Sequence, residues 1–156
     1  MKQLKVGILL LFLSIASLPG SSSAQESDAS LPVRGTWSGQ WSSPEGFTYL
    51  AEMHLEAASN GTIEGQINWT LVKSARAEEQ SKLGLTGVEF VKGKYDPVSR
   101  VLAVDGYTKT DPNTILGLDK YRLILAENGA ALGGITRNHG SWGGLLGLLR
   151  KANLDQ

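Results

Sequence analysis

The chain has 156 residues, with 15 basic and 15 acidic side chains, two histidines and no cysteine. That length suits one domain, and the absence of a basic block or stripe argues against nucleic acid as a partner. Without cysteine there are no disulfides, no thiolate chemistry and no cysteine-based metal site, so stability has to come from an ordinary hydrophobic core.

At the N-terminus, Lys2 and Lys5 precede an apolar run from Val6 to Leu18, and Ser22-Ser23-Ala24 follow. This is the three-part layout of a cleavable secretory signal peptide, 1–24, with cleavage expected after Ala24. The run is 13 residues long, short of the ~20 needed to span a bilayer as a helix. The mature chain is then expected to lack a transmembrane segment and to be secreted or periplasmic. Removing Lys2 and Lys5 leaves 13 basic against 15 acidic residues, a net charge near −2. Residues 25–32 are small and polar and read as a flexible leader, 33–151 as the folded domain, and 152–156 as a polar tail.

Beyond the leader the hydrophobic pattern repeats every second residue, which predicts strands. In 34–42, Gly35, Trp37, Gly39 and Trp41 share one face. In 47–57, Tyr49, Ala51, Met53 and Leu55 alternate with Leu50, Glu52, His54 and Glu56. Asn60-Gly61 supplies a hairpin turn, and 62–72 alternates again through Ile63, Gly65, Ile67, Trp69 and Leu71. Residues 73–86 are charged, with Glu78 and Lys82 at i,i+4 spacing, and predict one or two helical turns in a long loop. That loop is either a surface crossover or a lid over a barrel mouth. Further strands are expected at 87–95, 100–108, 116–126, 131–138 and 141–150, joined by Asp96-Pro97, Asp111-Pro112-Asn113, Asn128-Gly129 and Asn138-His139-Gly140. Glycines 65, 93, 106 and 117 are expected as bends or bulges that let a small barrel close. Eight sequential antiparallel strands predict an all-β up-and-down meander closed into a barrel of about eight strands, which removes the exposed edges. An open barrel or two-sheet sandwich is the alternative.

The last strand differs from the others because both of its faces are apolar. Trp142, Leu146 and Leu148 lie on one, and Leu145 and Leu149 on the other. A strand buried on both sides predicts an interface with a second copy or a protein partner, with Trp142, Leu145 and Leu149 as candidates.

Gly35-Thr36-Trp37 at the start of the first strand resembles the calycins, the lipocalins and avidins. The resemblance implies a barrel whose floor is closed by Gly35 and Trp37 and covered by a basic residue near the last strand, here Arg150. The avidin pattern Gly-Thr-Trp-x-Asn-Gln-x-x-Ser is similar to residues 35–43. Asn60-Gly61-Thr62-Ile63-Glu64-Gly65 and Gly93-Lys94-Tyr95-Asp96 also look like that family's later stretches. The ligand-contacting residues do not carry over. Gly39 stands in place of the asparagine, only Ser43 is retained, and the tyrosine and serine positions fall on Ile67 and Trp69. The resemblance thus implies the fold and argues against biotin, because each hydrogen bond missing from a buried polar ligand costs ~1–3 kcal/mol.

These features predict a non-enzymatic, lipocalin-like binding module with no cofactor or metal, holding a small apolar or amphipathic ligand. Its candidate contacts are Tyr49, Met53, Trp69, Tyr107 and Tyr121. The alternative is a filled barrel that acts through protein contacts, as protease-inhibiting envelope barrels do. Less favoured is a small hydrolase or isomerase using His54 or His139. His54 shares a face with Glu52 and Glu56, which reads more simply as a solvated outer surface, and His139 sits in a polar turn. No nucleophile elbow, phosphate loop or two-histidine metal motif is present.

Overall fold

A computed structural model describes residues 31–58, 61–138 and 143–152. The expected signal peptide, most of the leader, Asn60, His139, Trp142 and most of the tail lie outside the described residues.

Among the described residues, eight strands follow one another: β1 Gly35–Ser42, β2 Thr48–Ala57, β3 Ile63–Lys73, β4 Thr86–Asp96, β5 Val101–Thr110, β6 Asp119–Leu125, β7 Ala131–Asn138 and β8 Gly143–Arg150. Each pairs antiparallel with its neighbours, and β1 pairs with both β2 and β8, so the sheet closes on itself. The expected all-β meander barrel is therefore the observed fold. Expected and observed strands coincide closely except β6, which begins at Asp119 rather than near 116. Gly117 is thus a loop residue, not a strand bend.

Alternation places Trp37 and Trp41 inside on β1, Met53 and Leu55 on β2, and Ile67 and Trp69 on β3. Eight strands leave an interior just wide enough for packed side chains or one small ligand, and this barrel is packed at one end and keeps a cavity at the other.

The lower end is packed solid. Trp37 is completely buried and donates its indole N–H to the Val33 carbonyl at 2.9 Å. Arg150 faces Trp37 across the β1–β8 ladder, with its guanidinium carbon 4.0 Å from the ring centroid. The same guanidinium donates to the carbonyls of Gly129 at 2.9 Å and Arg34 at 2.7 Å, and to that of Pro32. It thereby ties the segment before β1 and the β6–β7 turn beneath the tryptophan. Burial depresses the Arg150 pKa. Gly39 belongs to this packing too. A Cβ there would lie 2.0 Å from the Gly147 carbonyl oxygen of β8, so β1 and β8 approach too closely for any side chain.

Candidate functional site

At the other end, the loops 43–47, 74–85 and 111–118 surround a cavity of about 240 Å³. Its aromatic wall starts from inward positions of β1, β2 and β3. Trp41 and Tyr49 meet edge to face with centroids 5.6 Å apart, and Tyr49 and Trp69 do so at 6.1 Å. Each polar tip is anchored. Trp41 Nε1 donates to Thr136 Oγ1 at 2.6 Å, and the Tyr49 hydroxyl donates to the Ile115 carbonyl at 2.7 Å. Gly144 on β8 makes room for Trp41, since a Cβ there would fall 2.3 Å from the indole ring. Burial, with the charges of Glu79, Asp111 and Asp119 nearby, pushes the Tyr49 pKa up to about 12, so its phenol stays neutral.

The polar centre is Glu89 on β4, only 2% exposed. Its Oε2 accepts the Trp69 indole N–H at 3.2 Å and the Tyr121 hydroxyl, and its Oε1 accepts the Asp119 backbone N–H at 2.8 Å. No lysine or arginine pairs with it among the described residues. Burial outweighs these three donors and raises the carboxyl pKa to about 7, with the nearby Asp119 charge adding to the rise. Burial and Glu89 together push the Tyr121 phenol well above its ordinary value.

Two backbone features admit this carboxyl. Pairing of β4 with β5 passes from Val91–Gly106 to Phe90–Thr108, which leaves Tyr107 as the extra residue of a bulge. Gly106, beside that bulge, faces inward, and a Cβ there would lie 1.8 Å from Glu89 Oε1. The expected bulge glycine therefore also supplies the space in which the acid sits.

The mouth is wired by short polar contacts. The 3-10 helix Ala77–Lys82 lies in the expected long loop, and Arg76 and Glu79 line the cavity from it. Arg76 packs over Phe47 at 5.4 Å and approaches Glu79 at 3.9 Å. Lys82 Nζ donates to the Thr114 carbonyl at 3.0 Å and so joins two mouth loops. Asp111 accepts the backbone N–H groups of Ile115 and Leu116 at 3.0 and 2.8 Å and pairs with Lys109 at 3.2 Å.

Of the five predicted ligand contacts, Tyr49, Trp69 and Tyr121 line this cavity. Tyr107 does not, because the bulge turns its ring to the outer face, where it is 59% exposed. Met53 does not either: it points inward but is fully buried deeper in the barrel, opposite Trp37 in the β1–β2 ladder. Glu89 and Asp119, which the sequence did not single out, line the cavity, and so does Trp41, expected on the inward face of β1 but not as a ligand contact. A carboxylate sharing parity with Val91 on β4 was the available signal for Glu89.

His54 lies on the outer face. Its Nδ1 is 2.9 Å from Thr36 Oγ1, and its Nε2 is 3.3 Å from Glu52, which also pairs with Lys151 at 2.8 Å. The Lys151 and His54 contacts lower the Glu52 pKa. On β8, Leu146 and Leu148 fill the core while Leu145 and Leu149 stand outside, 63% and 65% exposed. Ile135, paired with Leu145 across the β7–β8 ladder, extends this outer apolar face, and so does Ile124 on β6.

The chain matches no protein-family model, no curated protein and no solved structure.

Proposed function

We propose that this chain is a non-enzymatic binding barrel of lipocalin-like plan that takes a small amphipathic molecule into its open end. The observation that carries this reading is the cavity itself. Aromatic rings from β1, β2, β3 and β6 converge on one buried polar group, the usual composition of a small-molecule site. The Trp37–Arg150 floor, with Gly35 at its edge, agrees with the calycin resemblance. At about 240 Å³ the cavity is just below the ~300–1,000 Å³ typical of drug-sized ligands. This favours a compact ligand over a long acyl chain. Titration with 3-phenylpropan-1-ol tests the reading through tryptophan fluorescence and amide NMR shifts. Saturable binding that perturbs Trp41, Trp69 and Tyr49 is expected. No saturable response, together with no co-purified mass in native mass spectrometry of protein from its own host, overturns it.

A second reading, association through the outer face of β6–β8, is supported by the exposed Ile124, Ile135, Leu145 and Leu149. Gly133 and Gly147, paired across the β7–β8 ladder, lie in a shallow groove flanked by Ile124 and Leu149. Ridge and groove on one surface suit a two-fold contact between two copies. Sedimentation velocity at micromolar concentration tests it. A monomer throughout that range removes it.

A further inference from the structure

The distribution of charge around the cavity deepens the reading of it as a binding site and rests on that reading. Burying a carboxyl is costly, and the cost normally has to be met by a paired cation. Glu89 has none among the described residues. Its three partners are an indole N–H, a phenol and a backbone N–H. An ionised carboxylate offers about four acceptor positions, so the three donors leave one unused. Asp119 and Glu79 bring further carboxylates to the lining. Arg76, the one cation among the described lining residues, is set against Glu79 and over the Phe47 ring. The lysines at the rim are also committed, Lys82 to the Thr114 carbonyl and Lys109 to Asp111 and the Leu116 carbonyl. With Glu89 ionised, three acids and one arginine give the lining a net charge of −2. The remaining surface consists largely of Trp41, Phe47, Tyr49, Trp69 and Tyr121, and aromatic rings attract cations electrostatically.

We propose that the cavity takes a small organic cation, a protonated amine or quaternary ammonium on a compact apolar body, with its charge against Glu89 and the surrounding rings. The ligand supplies the countercharge that the fold withholds. An anionic ligand would meet three carboxylates instead, and a neutral one would leave Glu89 unpaired.

The test uses three probes of nearly the same shape and different charge: 3-phenylpropylamine, 3-phenylpropan-1-ol and 3-phenylpropionate. Binding to the full chain is followed at pH 8 by calorimetry and amide NMR. The amine is expected to bind about tenfold or more tightly than the alcohol, as cation–π attraction and one close countercharge imply, and the acid least. In Glu89→Gln the amine-to-alcohol ratio is expected to fall toward one, while alcohol binding persists. Asp119→Asn, which keeps the backbone N–H, provides a second charge-removing variant should Glu89→Gln fold poorly, and it is expected to lower the ratio less. The preference should also weaken as pH falls from 8 to 5. Over that range Glu89, faced by Trp69 from β3 and by Tyr121 and Asp119 from β6, takes up its proton; Glu79, Arg76 and Tyr49 line the same cavity. Equal binding of amine and alcohol, or tighter binding of the acid, overturns the cation proposal and leaves the binding-site reading standing. Failure of all three probes, together with no co-purified mass in native mass spectrometry, overturns both.

Discussion

The two ends of this barrel are built from the same kind of residue and do opposite things with it. At the lower end an indole, Trp37, is buried completely, its N–H is spent on a backbone carbonyl, and Arg150 covers its face. At the upper end the indoles of Trp41 and Trp69 are also hydrogen-bonded, yet space remains between the rings, with a carboxyl at its edge. The difference lies in the cation. Arg150 stacks on its aromatic and satisfies three carbonyls below it, whereas Glu89 has no lysine or arginine partner among the described residues, and Arg76 is set over Phe47 and against Glu79. One end is a completed arrangement and the other keeps an open cavity, the feature on which the binding proposal rests.

The largest test of this contrast is Trp37→Ala. Truncating a fully buried tryptophan typically costs ~3–5 kcal/mol, and urea unfolding should show a loss of that size. Tyr49→Phe at the open end removes one hydrogen bond, to the Ile115 carbonyl, and should cost only about 1 kcal/mol. Comparable losses at both ends would erase the distinction.

Next in size is a pH dependence that belongs to the upper end alone. Folding raises the Glu89 pKa from 4.5 to about 7, so the folded state holds this proton more tightly than the unfolded chain. The stabilisation is fully present below pH 4.5 and is lost as pH rises through about 7. This amounts to about 3 kcal/mol between pH 4 and pH 8. Glu89→Gln should flatten that slope in urea unfolding series at the two pH values. An unchanged slope would show that the buried carboxyl is not its source.

Gly106→Ala sharpens the comparison further. The added methyl would overlap Glu89 Oε1, and such overpacking commonly costs ~1–3 kcal/mol. Amide shifts should move around Glu89, Trp69 and Tyr121 and stay put around Trp37 and Arg150, and any preference for the amine probe should disappear. The smallest effect is expected on the outer wall. Leu145→Ser with Leu149→Ser removes exposed side chains and should change monomer stability by no more than ~0.5 kcal/mol per site. A self-associating chain would nevertheless become monomeric in sedimentation.

At the closed end the inward face of Trp37 was readable from local patterns, and its closing role from the calycin resemblance. Trp37 follows Gly35 by two residues on a strand whose parity is clear, and β2 and β3 alternate cleanly because each has one face in the core and one in water. Those patterns also brought Tyr49, Trp69 and Tyr121 to the interior. The acid at the centre of the cavity was harder to find, because β4 carries Val88 and Phe90 on one parity and Val91 on the other. Apolar residues on both sides hide which face is inside. Tyr107 was misplaced for a related reason. Its orientation depends on a bulge opposite Phe90 and Val91, and a bulge belongs to a pair of strands rather than to either sequence alone.

The calycin resemblance supplied the closing role of Trp37, whereas the meander, its turn positions and the inward face of Trp37 are legible in the chain itself. These follow from alternation and turn chemistry, which act between near neighbours in the chain. Three-dimensional packing set Glu89 against Gly106, Trp69 and Tyr121, left it without a lysine or arginine partner among the described residues, and turned Tyr107 outward. Those outcomes depend on cross-strand register and on the closure of β1 against β8. Contacts of that kind form between residues far apart in sequence, and no local pattern encodes them.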